Sequence, residues 1–342
     1  MEAGIFRTIM LLRICLPRLP RAVAYITTQL PDYLNCYQHL QNAVAYINTQ
    51  LQNYRTILPS ELILRPNGAL YHLDLLPGQV AETIITVGDP ERVKAVSDRF
   101  DKVELRVEAR EFVTHTGELD GKRLTVISTG IGTDNIDIVF NELDALFNID
   151  LARRQVQSEL TKLDFVRLGT SGAFQSDLPL DSLVLSAAAL ATDGLLPFYL
   201  SGGEPDEAAI SLYEHLEDGG VKLPVPVLIV RPELPLAFVD CGLPQGVTMT
   251  AAGFYAPQGR SLRLPSGLSP ALLERLRSWR HGGLQLTNIE METSGIYGLA
   301  TALGHRSVSI SALLANRAEG TWSKQPKETV DKLIDWGLGR IV

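Results

Sequence analysis

Apolar runs of strand length alternate with amphipathic segments of helix length over most of this chain. The apolar runs lie at 83–87, 123–129, 164–170, 183–191, 225–230, 247–253 and 307–314. Apolar residues recur every three to four positions in Asp134–Leu146, Glu207–Glu217, Pro270–Trp279, Thr293–Leu303 and Lys327–Leu338. Short strands interleaved with helices are typical of an α/β domain. The pattern therefore predicts one such domain around a mixed sheet, with loops at 201–205 and 256–259.

The first 57 residues depart from this pattern and contain a repeat. Residues 22–30 are AVAYITTQL and residues 43–51 are AVAYINTQL. Two copies are too few for a solenoid. Three interpretations stay open: a misplaced start that translates upstream repeats, an arginine-rich transit segment, or an appended helix pair. We therefore expect an N-terminal extension at 1–57 that lies outside the core domain and a domain body at 58–342.

Composition narrows the class of protein without choosing its function. The 342 residues are 45% apolar and 20% charged, with a net charge of −8. Such a chain can bury a large core, and its acidic balance argues against nucleic-acid binding. The three cysteines, Cys15, Cys36 and Cys241, are far apart and form neither a disulfide framework nor a metal-ligand spacing. These features predict a soluble, cytoplasmic enzyme with no metal site and no membrane span.

Two glycine-containing segments are candidates for anion binding. The run 83–87 ends at Gly88, and Asp89 and Arg92 follow at the expected start of a helix. Free N–H groups at a helix start and a nearby guanidinium favour an anion, although an ordinary helix capped by Asp89 has the same pattern. In the second segment a strand places Arg167 before what the sequence predicts to be a glycine turn with the Thr170 hydroxyl, which could donate to phosphate oxygens.

Two further segments could bind a nucleoside. Gln258 and Arg260 together offer one acceptor and several donors, which matches the two carbonyls and one N–H on the edge of uracil. A solvated loop is the alternative there. Glu290 and Glu292 flank Met291, and a carboxylate can accept hydrogen bonds from two neighbouring ribose hydroxyls. The alternative for that segment is a solvent-facing acidic strand end, and whether both carboxylates share one face depends on where the strand ends.

These motifs, in this order, resemble the nucleoside phosphorylases of the purine nucleoside and uridine phosphorylase type, and are most similar to the uridine branch. The resemblance runs from about Leu70 to the C-terminus and rests on Gly88–Arg92, Arg110–Phe112, Ser128–Gly132, Arg167–Thr170, Phe254, Tyr255, Gln258, Arg260 and Glu290–Glu292. It implies that the central sheet is twisted and barrel-like, with helices on its flanks.

The resemblance also implies a role for each matched residue. Phosphate would bind to Gly88, Arg92, Arg167, Thr170 and, from a neighbouring subunit, Arg110. The ribose would contact Met291, Glu292 at its 2′-hydroxyl and, across the subunit interface, His72 at its 5′-hydroxyl. The base would contact Phe254, Gln258 and Arg260.

The implied reaction is phosphorolysis of pyrimidine nucleosides, in which uridine and phosphate give uracil and ribose 1-phosphate. Phosphate attacks C1′ directly and is a co-substrate, so no cofactor is expected. The catalytic residues would be Arg92, Arg167, Thr170, Gln258 and Arg260. A site shared between subunits implies a homo-oligomer, and bacterial relatives suggest a hexamer. The enzyme would serve pyrimidine salvage.

One departure from the family pattern and one difference from its purine branch affect this interpretation. Asp134 and Asn135 replace the usual Pro-Ser pair, which weakens the case for the family's monovalent-cation site; Asp134 could cap a helix. Residues 311–317, SALLANR, lack the Asp that protonates a purine base in the purine branch, which favours a pyrimidine. The alternatives are a purine nucleoside phosphorylase or a nucleosidase of the same superfamily, or a non-catalytic nucleoside-binding protein.

Overall fold

A twelve-stranded mixed sheet organises the part of the chain that the computed structural model describes, residues 56–200 and 206–342. The strands are β1 (Thr83–Val87), β2 (Lys102–Ala109), β3 (Phe112–Leu119), β4 (Lys122–Ser128), β5 (Ile149–Asp150), β6 (Gln155–Val156), β7 (Asp164–Ala173), β8 (Leu183–Thr192), β9 (Leu228–Val230), β10 (Gln245–Ala251), β11 (Arg280–His281), β12 (Leu284–Glu290), β13 (Arg306–Asn316) and β14 (Thr321–Trp322). Strands β5 and β6 form a separate two-stranded sheet.

Six α-helices accompany these strands in the described residues. They are α1 (Pro90–Ser97), α2 (Thr133–Asn148), α3 (Glu207–Asp218), α4 (Pro270–Ser278), α5 (Thr293–Leu303) and α6 (Pro326–Ile341). Short 3₁₀ turns lie at Leu196–Phe198, Leu236–Phe238 and Ala256–Gln258. None of the helices in residues 56–200 and 206–342 is long and apolar enough to cross a membrane.

Part of the sheet closes on itself. Strand β12 pairs with β10 on one side and with β7 on the other, so that β7, β13, β8, β10 and β12 form a five-stranded barrel. Parallel pairs, such as β13 with β7, and antiparallel pairs, such as β12 with β7, both occur. The predicted fold class, an α/β domain around a twisted, mixed, barrel-like sheet, is therefore confirmed.

The central strands β1 and β7 bury apolar residues on both of their faces, because helices cover both faces. Ile84 of β1 and Phe165 of β7 pack in the cluster that includes α2 and α5. Their neighbours Ile85 and Val166 pack with the apolar face of α6 in a second cluster. The ring of Phe165 also stacks on that of Phe140 at 4.2 Å. These two cores hold the strand ends in place.

Several predicted elements match the structure and others do not. Strand β1 and helix α5 have the predicted bounds. Strands β2 and β3 were missed because β2 alternates exposed and half-buried residues instead of forming an apolar run. Asp134 does not cap α2, because that helix begins one residue earlier with Gly132 as its N-cap. The extension predicted at 1–57 lies, up to residue 55, outside the described residues, as does the loop predicted at 201–205.

Candidate active site

A cavity of about 500 Å³ opens where β1, β4, β10 and β12 end. The carboxyl ends of parallel strands are the usual position of a ligand site in α/β proteins. Nine residues with a predicted role line it: Gly88, Arg92, Arg167, Thr170, Phe254, Gln258, Arg260, Met291 and Glu292. The structure thus brings together segments that are up to about 200 positions apart in the sequence.

Arg167 is the most buried cation of this cavity, with only 6% of its surface exposed. Its Nη2 lies 2.7 Å from Glu292 Oε2 and 3.0 Å from Glu290 Oε2. Its Nη1 donates to the hydroxyls of Ser309 and Ser311 at 3.3 and 3.2 Å. Burial opposes the charge of this guanidinium, but the two carboxylates outweigh burial and raise its pKa. Arg167 is therefore a permanent, rigidly held positive charge.

The two carboxylates opposite Arg167 differ in what else they bind. Glu290 accepts hydrogen bonds from the Thr250 hydroxyl and from the backbone N–H and hydroxyl of Thr293, so it anchors the start of α5. Glu292 accepts from the Gly132 N–H at 2.8 Å and keeps lone pairs for a ligand. Burial raises its pKa, while Arg167 acts in the opposite direction. Because β12 ends at Glu290, both side chains turn toward Arg167.

The glycine turn predicted after Arg167 is wrong. Residues 169–173 continue β7 and pair with β13 as far as Ala173 with Asn316, so their backbone is committed to the sheet. Glycine is needed at position 169 for a different reason, because the Cβ of any other residue there would lie 2.0 Å from Arg167 Nη1. The guanidinium therefore lies directly against the Gly169 backbone. Thr170 still lines the cavity, from the strand instead of from a turn.

The start of α1 forms the anion side of the cavity together with Arg167. Asp89 is the N-cap, as the alternative interpretation of this segment has it, and accepts from the Glu91 N–H at 2.9 Å. Arg92 lies on the first turn, and its Nη1 donates to the Leu168 carbonyl at 3.3 Å. Burial lowers the pKa of Arg92, and the nearby charge of Arg167 adds to the effect. Two guanidinium groups and a helix N-terminus thus converge where an anion would relieve their repulsion.

The opposite side of the cavity is built by the loop after β10. Arg260 donates a short hydrogen bond to Gln258 Oε1 and another, of 2.5 Å, to the Phe254 carbonyl. Its Cζ lies 3.9 Å from the centre of the Phe254 ring. Burial, followed by repulsion from Arg317, lowers the pKa of Arg260 to about 10, so it remains charged at neutral pH. Gln258 is buried whereas Phe254 is 48% exposed.

Two residues near this side were not expected from the sequence. Trp322 of β14 lines the cavity with 60% of its surface exposed. Arg317 follows β13, and its Nη1 is buried with no hydrogen-bond partner among the described residues. Burial lowers the pKa of Arg317 as well. An unpartnered buried donor is costly, but Arg317 does not itself line the cavity. The only sequence signal for either residue is its place just beyond a buried strand.

His72 and Arg110, both predicted to act on a neighbouring subunit, do not line the cavity that the described residues form. Both lie close to the ring of Tyr71. The Tyr71 and His72 rings are 5.0 Å apart, and Arg110 Cζ is 5.4 Å from the Tyr71 ring centre. His72 Nδ1 lies 2.5 Å from Glu142 Oε1, which leaves Nε2 available. Arg110 is exposed and has a positive φ of 58°.

Within the described ranges, 56–200 and 206–342, His, Cys, Asp and Glu residues form no group of three or more that could hold a metal ion. The polar groups that line the cavity are its arginines, an amide, carboxylates and hydroxyls. Together they offer a cationic pocket, a carboxylate between its two sides, and a polar edge suited to a flat heterocycle.

Fold and cavity together define an enzyme of the nucleoside phosphorylase type. The family model described as "Phosphorylase superfamily" matches residues 82–335, and the chain belongs to that family. The predicted resemblance is therefore confirmed.

Similar proteins with assigned activities come from several organisms. A uridine phosphorylase from Thermococcus kodakarensis is 30% identical over 286 residues, covering 79% of this chain and 88% of its own. A DeoD-type purine nucleoside phosphorylase from Vibrio cholerae is 26% identical, covering 70% and 83% respectively. Among solved structures, a Trypanosoma brucei nucleoside phosphorylase with uridine phosphorylase activity has a TM-score of 0.71 and 27% identity, covering 81% of this chain and 99% of its own.

Proposed function

We propose that this chain is a uridine phosphorylase, which converts uridine and inorganic phosphate into uracil and ribose 1-phosphate. The observation that carries the proposal is the arrangement of the cavity. Arg92 and Arg167 lie on its anion side, Gln258 and Arg260 lie on the opposite side, which we call the base side because we propose that it binds the base, and Glu292 also lines the cavity. Similarity to uridine phosphorylases over most of the chain supports the same assignment.

On the anion side, phosphate would be both ligand and nucleophile. Arg92, Arg167, the Thr170 hydroxyl and the backbone at Gly88 would bind its oxygens and orient one of them toward C1′. The sugar becomes cation-like as the glycosidic bond breaks, so the bound dianion stabilises that charge while it attacks. A single displacement inverts the configuration at C1′. Glu292, with Met291 beside it, would hold the ribose through its 2′-hydroxyl.

On the base side, uracil leaves with negative charge on its carbonyl oxygens. Arg260 and the amide N–H₂ of Gln258 would donate to those oxygens, and their hydrogen bonds strengthen as the charge grows. Gln258 Oε1 already accepts from Arg260, but its second lone pair can accept from the ring N–H. Phe254 supplies an apolar face for the base.

The absence of a carboxylic acid at the end of β13 favours a pyrimidine over a purine. The last residues of that strand are Ala315 and Asn316. The side-chain amide of Asn316 donates to the carbonyls of Gln175 and Leu178. A purine leaves readily only when its ring is protonated, and this position offers no acid to do so. Inorganic phosphate is the co-substrate in this proposal, which requires no cofactor. The reaction would serve pyrimidine salvage in the cytoplasm.

Uracil release from purified protein tests the proposal. Uridine, thymidine and inosine are each incubated with and without inorganic phosphate, and free base is measured by chromatography. We expect uracil from uridine only when phosphate is present. Base release without phosphate would make the protein a nucleosidase, cleavage of inosine alone would make it a purine phosphorylase, and binding without any cleavage would make it a nucleoside-binding protein.

We also propose a homo-oligomer in which His72 and Arg110 complete the site of a neighbouring subunit. Their clustering around Tyr71, away from their own chain's cavity, supports this arrangement. The test mixes two impaired variants, His72→Ala/Arg110→Ala and Arg260→Ala, after joint unfolding and refolding. Mixed dimers would hold one intact site, so activity should return only in the mixture. Continued impairment, with mixed dimers verified by differential tags, would contradict the shared site.

A further inference from the structure

Asp193, which follows β8, joins the starts of two helices behind the cavity. Its Oδ1 accepts from the Ser294 hydroxyl at 2.6 Å. Its Oδ2 accepts from the Thr133 hydroxyl at 3.1 Å and from the Leu195 N–H at 2.9 Å. Asp193 does not line the cavity formed by the described residues, and neither of its two hydroxyl partners does. One carboxylate thus binds the first residue of α2 and the second residue of α5.

Each of these helix starts carries part of the carboxylate site. On α2, Thr133 directly follows Gly132, whose N–H donates to Glu292 Oε1 at 2.8 Å. On α5, Ser294 comes two residues after Glu292, which is the N-cap of that helix. Asp193 therefore fixes the donor and the acceptor of one hydrogen bond relative to each other.

The two helix starts also pack too closely to move independently. A Cβ on Gly295 of α5 would lie 2.9 Å from the Thr133 methyl group. Ser294 is held further by its N–H, which donates to the Thr250 hydroxyl at 2.9 Å, and that hydroxyl donates to Glu290. A shift of Thr133 would therefore move the Glu292 carboxylate without a substitution at any residue that lines the cavity.

We propose that Asp193 is a positioning residue that orients Glu292 toward the 2′-hydroxyl and thereby sets the preference for ribose over 2′-deoxyribose. This inference rests on the proposed function, because it takes Glu292 to be the group that binds the ribose. A hydrogen bond discriminates well only when its acceptor is held in place, since a mobile carboxylate loses part of the interaction on ordering. 2′-Deoxyuridine lacks the hydroxyl, so its turnover is insensitive to this alignment.

The test measures kcat/KM for uridine and for 2′-deoxyuridine, with saturating phosphate, in the wild type and in Asp193→Asn. We expect the ratio of the two values to fall about tenfold, the effect of one misaligned charge-assisted hydrogen bond. Most of the change should come from uridine. In a Glu292→Gln background, Asp193→Asn should leave the ratio unchanged, because the group through which it acts is already altered.

Matched variants of Thr133 separate positioning from general stability. Thr133→Val removes the hydroxyl that Asp193 binds and keeps the shape, whereas Thr133→Ser keeps the hydroxyl and loses the methyl group that packs on Gly295. The ratio should fall in Thr133→Val and stay at the wild-type value in Thr133→Ser. These variants also serve if Asp193→Asn fails to fold.

Two results would overturn the role of Asp193 while the proposed function stands. In both, wild-type protein cleaves uridine with phosphate. In the first, Asp193→Asn and Thr133→Val lower kcat/KM for uridine and for 2′-deoxyuridine by the same factor; in the second, they change neither value. Failure of the proposed function is a separate outcome, in which the wild type itself releases no uracil in the presence of phosphate; the role in ribose selection is then refuted as well.

Discussion

The two sides of the cavity differ in how firmly their polar groups are held. On the anion side, Arg167 is deeply buried and is bound by two carboxylates and two hydroxyls. On the base side, Arg260 lies in a loop and binds the Gln258 amide with which it is proposed to contact the base. One side is rigid before any ligand arrives. On the other side, the hydrogen bonds of Arg260 go to groups of its own loop, and a ligand must replace these bonds or add to them.

This difference corresponds to two kinds of charge. In the proposed reaction phosphate is a dianion in every cycle, so the groups proposed to bind it can be fixed by strands and helix starts without loss of function. The charge on uracil develops only as the glycosidic bond breaks. Donors that the protein's own groups engage only in part can then transfer their hydrogen bonds to the leaving base, which favours the transition state over the substrate.

Removing Arg167 should have the largest effect. In Arg167→Met the two carboxylates lose their buried partner, so we expect a loss of about 3–5 kcal/mol in the free energy of unfolding and no measurable phosphorolysis. Chemical denaturation measures the free energy of unfolding, and uracil release measures phosphorolysis. Arg99 is the matched control, because it also binds two carboxylates, Asp331 and Asp335, but at the surface. Arg99→Met should cost no more than about 1 kcal/mol; equal losses would contradict the rigid anion side.

Arg260→Ala should reduce turnover of uridine about a hundredfold, because one donor to the leaving base is lost. The free energy of unfolding should change little, since the side chain belongs to a loop. Arg263→Ala, an exposed arginine of the same loop, is the control and should keep wild-type turnover. A wild-type kcat in Arg260→Ala would show that Arg260 does not donate to the leaving base.

Gly169→Ala should affect the anion side of the cavity more than the base side. Its methyl group would displace the Arg167 guanidinium, which we expect to raise the KM for phosphate about tenfold through a strain of roughly 1–3 kcal/mol. The KM for uridine should change less. Gly339 of α6 is the control, because an added Cβ there would meet no atom of the described residues within 4 Å. Gly339→Ala should instead stabilise the fold by about 0.5–1 kcal/mol. An unchanged KM for phosphate in Gly169→Ala would contradict the close contact with Arg167.

Trp322→Ala should have the smallest effect, a rise of about fivefold in the KM for uridine with little change in kcat, as expected for loss of an aromatic contact. Uracil should quench the fluorescence of the wild type, and Trp322→Phe should lose most of that quenching. Trp336 packs beside Phe238 and not in the cavity, so Trp336→Phe should retain it. If uracil quenched the fluorescence of Trp322→Phe as fully as that of the wild type, the base would not bind beside Trp322.

The fold was predictable wherever burial is uniform along an element. Strand β1 is apolar and almost fully buried, so its run of residues alone predicts its bounds. Strand β2 has an exposed residue at every second position, which weakens the apolar signal. Residues 169–173 are a different kind of error: glycine commonly marks a turn, but Gly169 is required within a strand because a guanidinium lies against it.

The candidate site was predictable as a set of motifs but not as an arrangement. The sequence predicts that Arg167 and Glu292 both belong to the site, yet their direct ion pair depends on where β12 ends and α5 begins. Trp322 and Arg317 were missed because neither belongs to a matched motif; the ladder between β13 and β14 places Trp322 at the cavity, and burial leaves an Arg317 donor unpaired. Asp193 was missed for the same reason, since its contacts join three distant segments.

The most direct test of the central claim is ³¹P NMR of purified protein with uridine and inorganic phosphate. The arrangement of Arg92, Arg167, Gln258 and Arg260 predicts that phosphate attacks C1′ in one step. The resonance of ribose 1-phosphate with inverted configuration should then grow in equal amount with free uracil. Release of uracil with free ribose and no sugar phosphate would contradict the account, because the anion side of the cavity would then not hold the nucleophile.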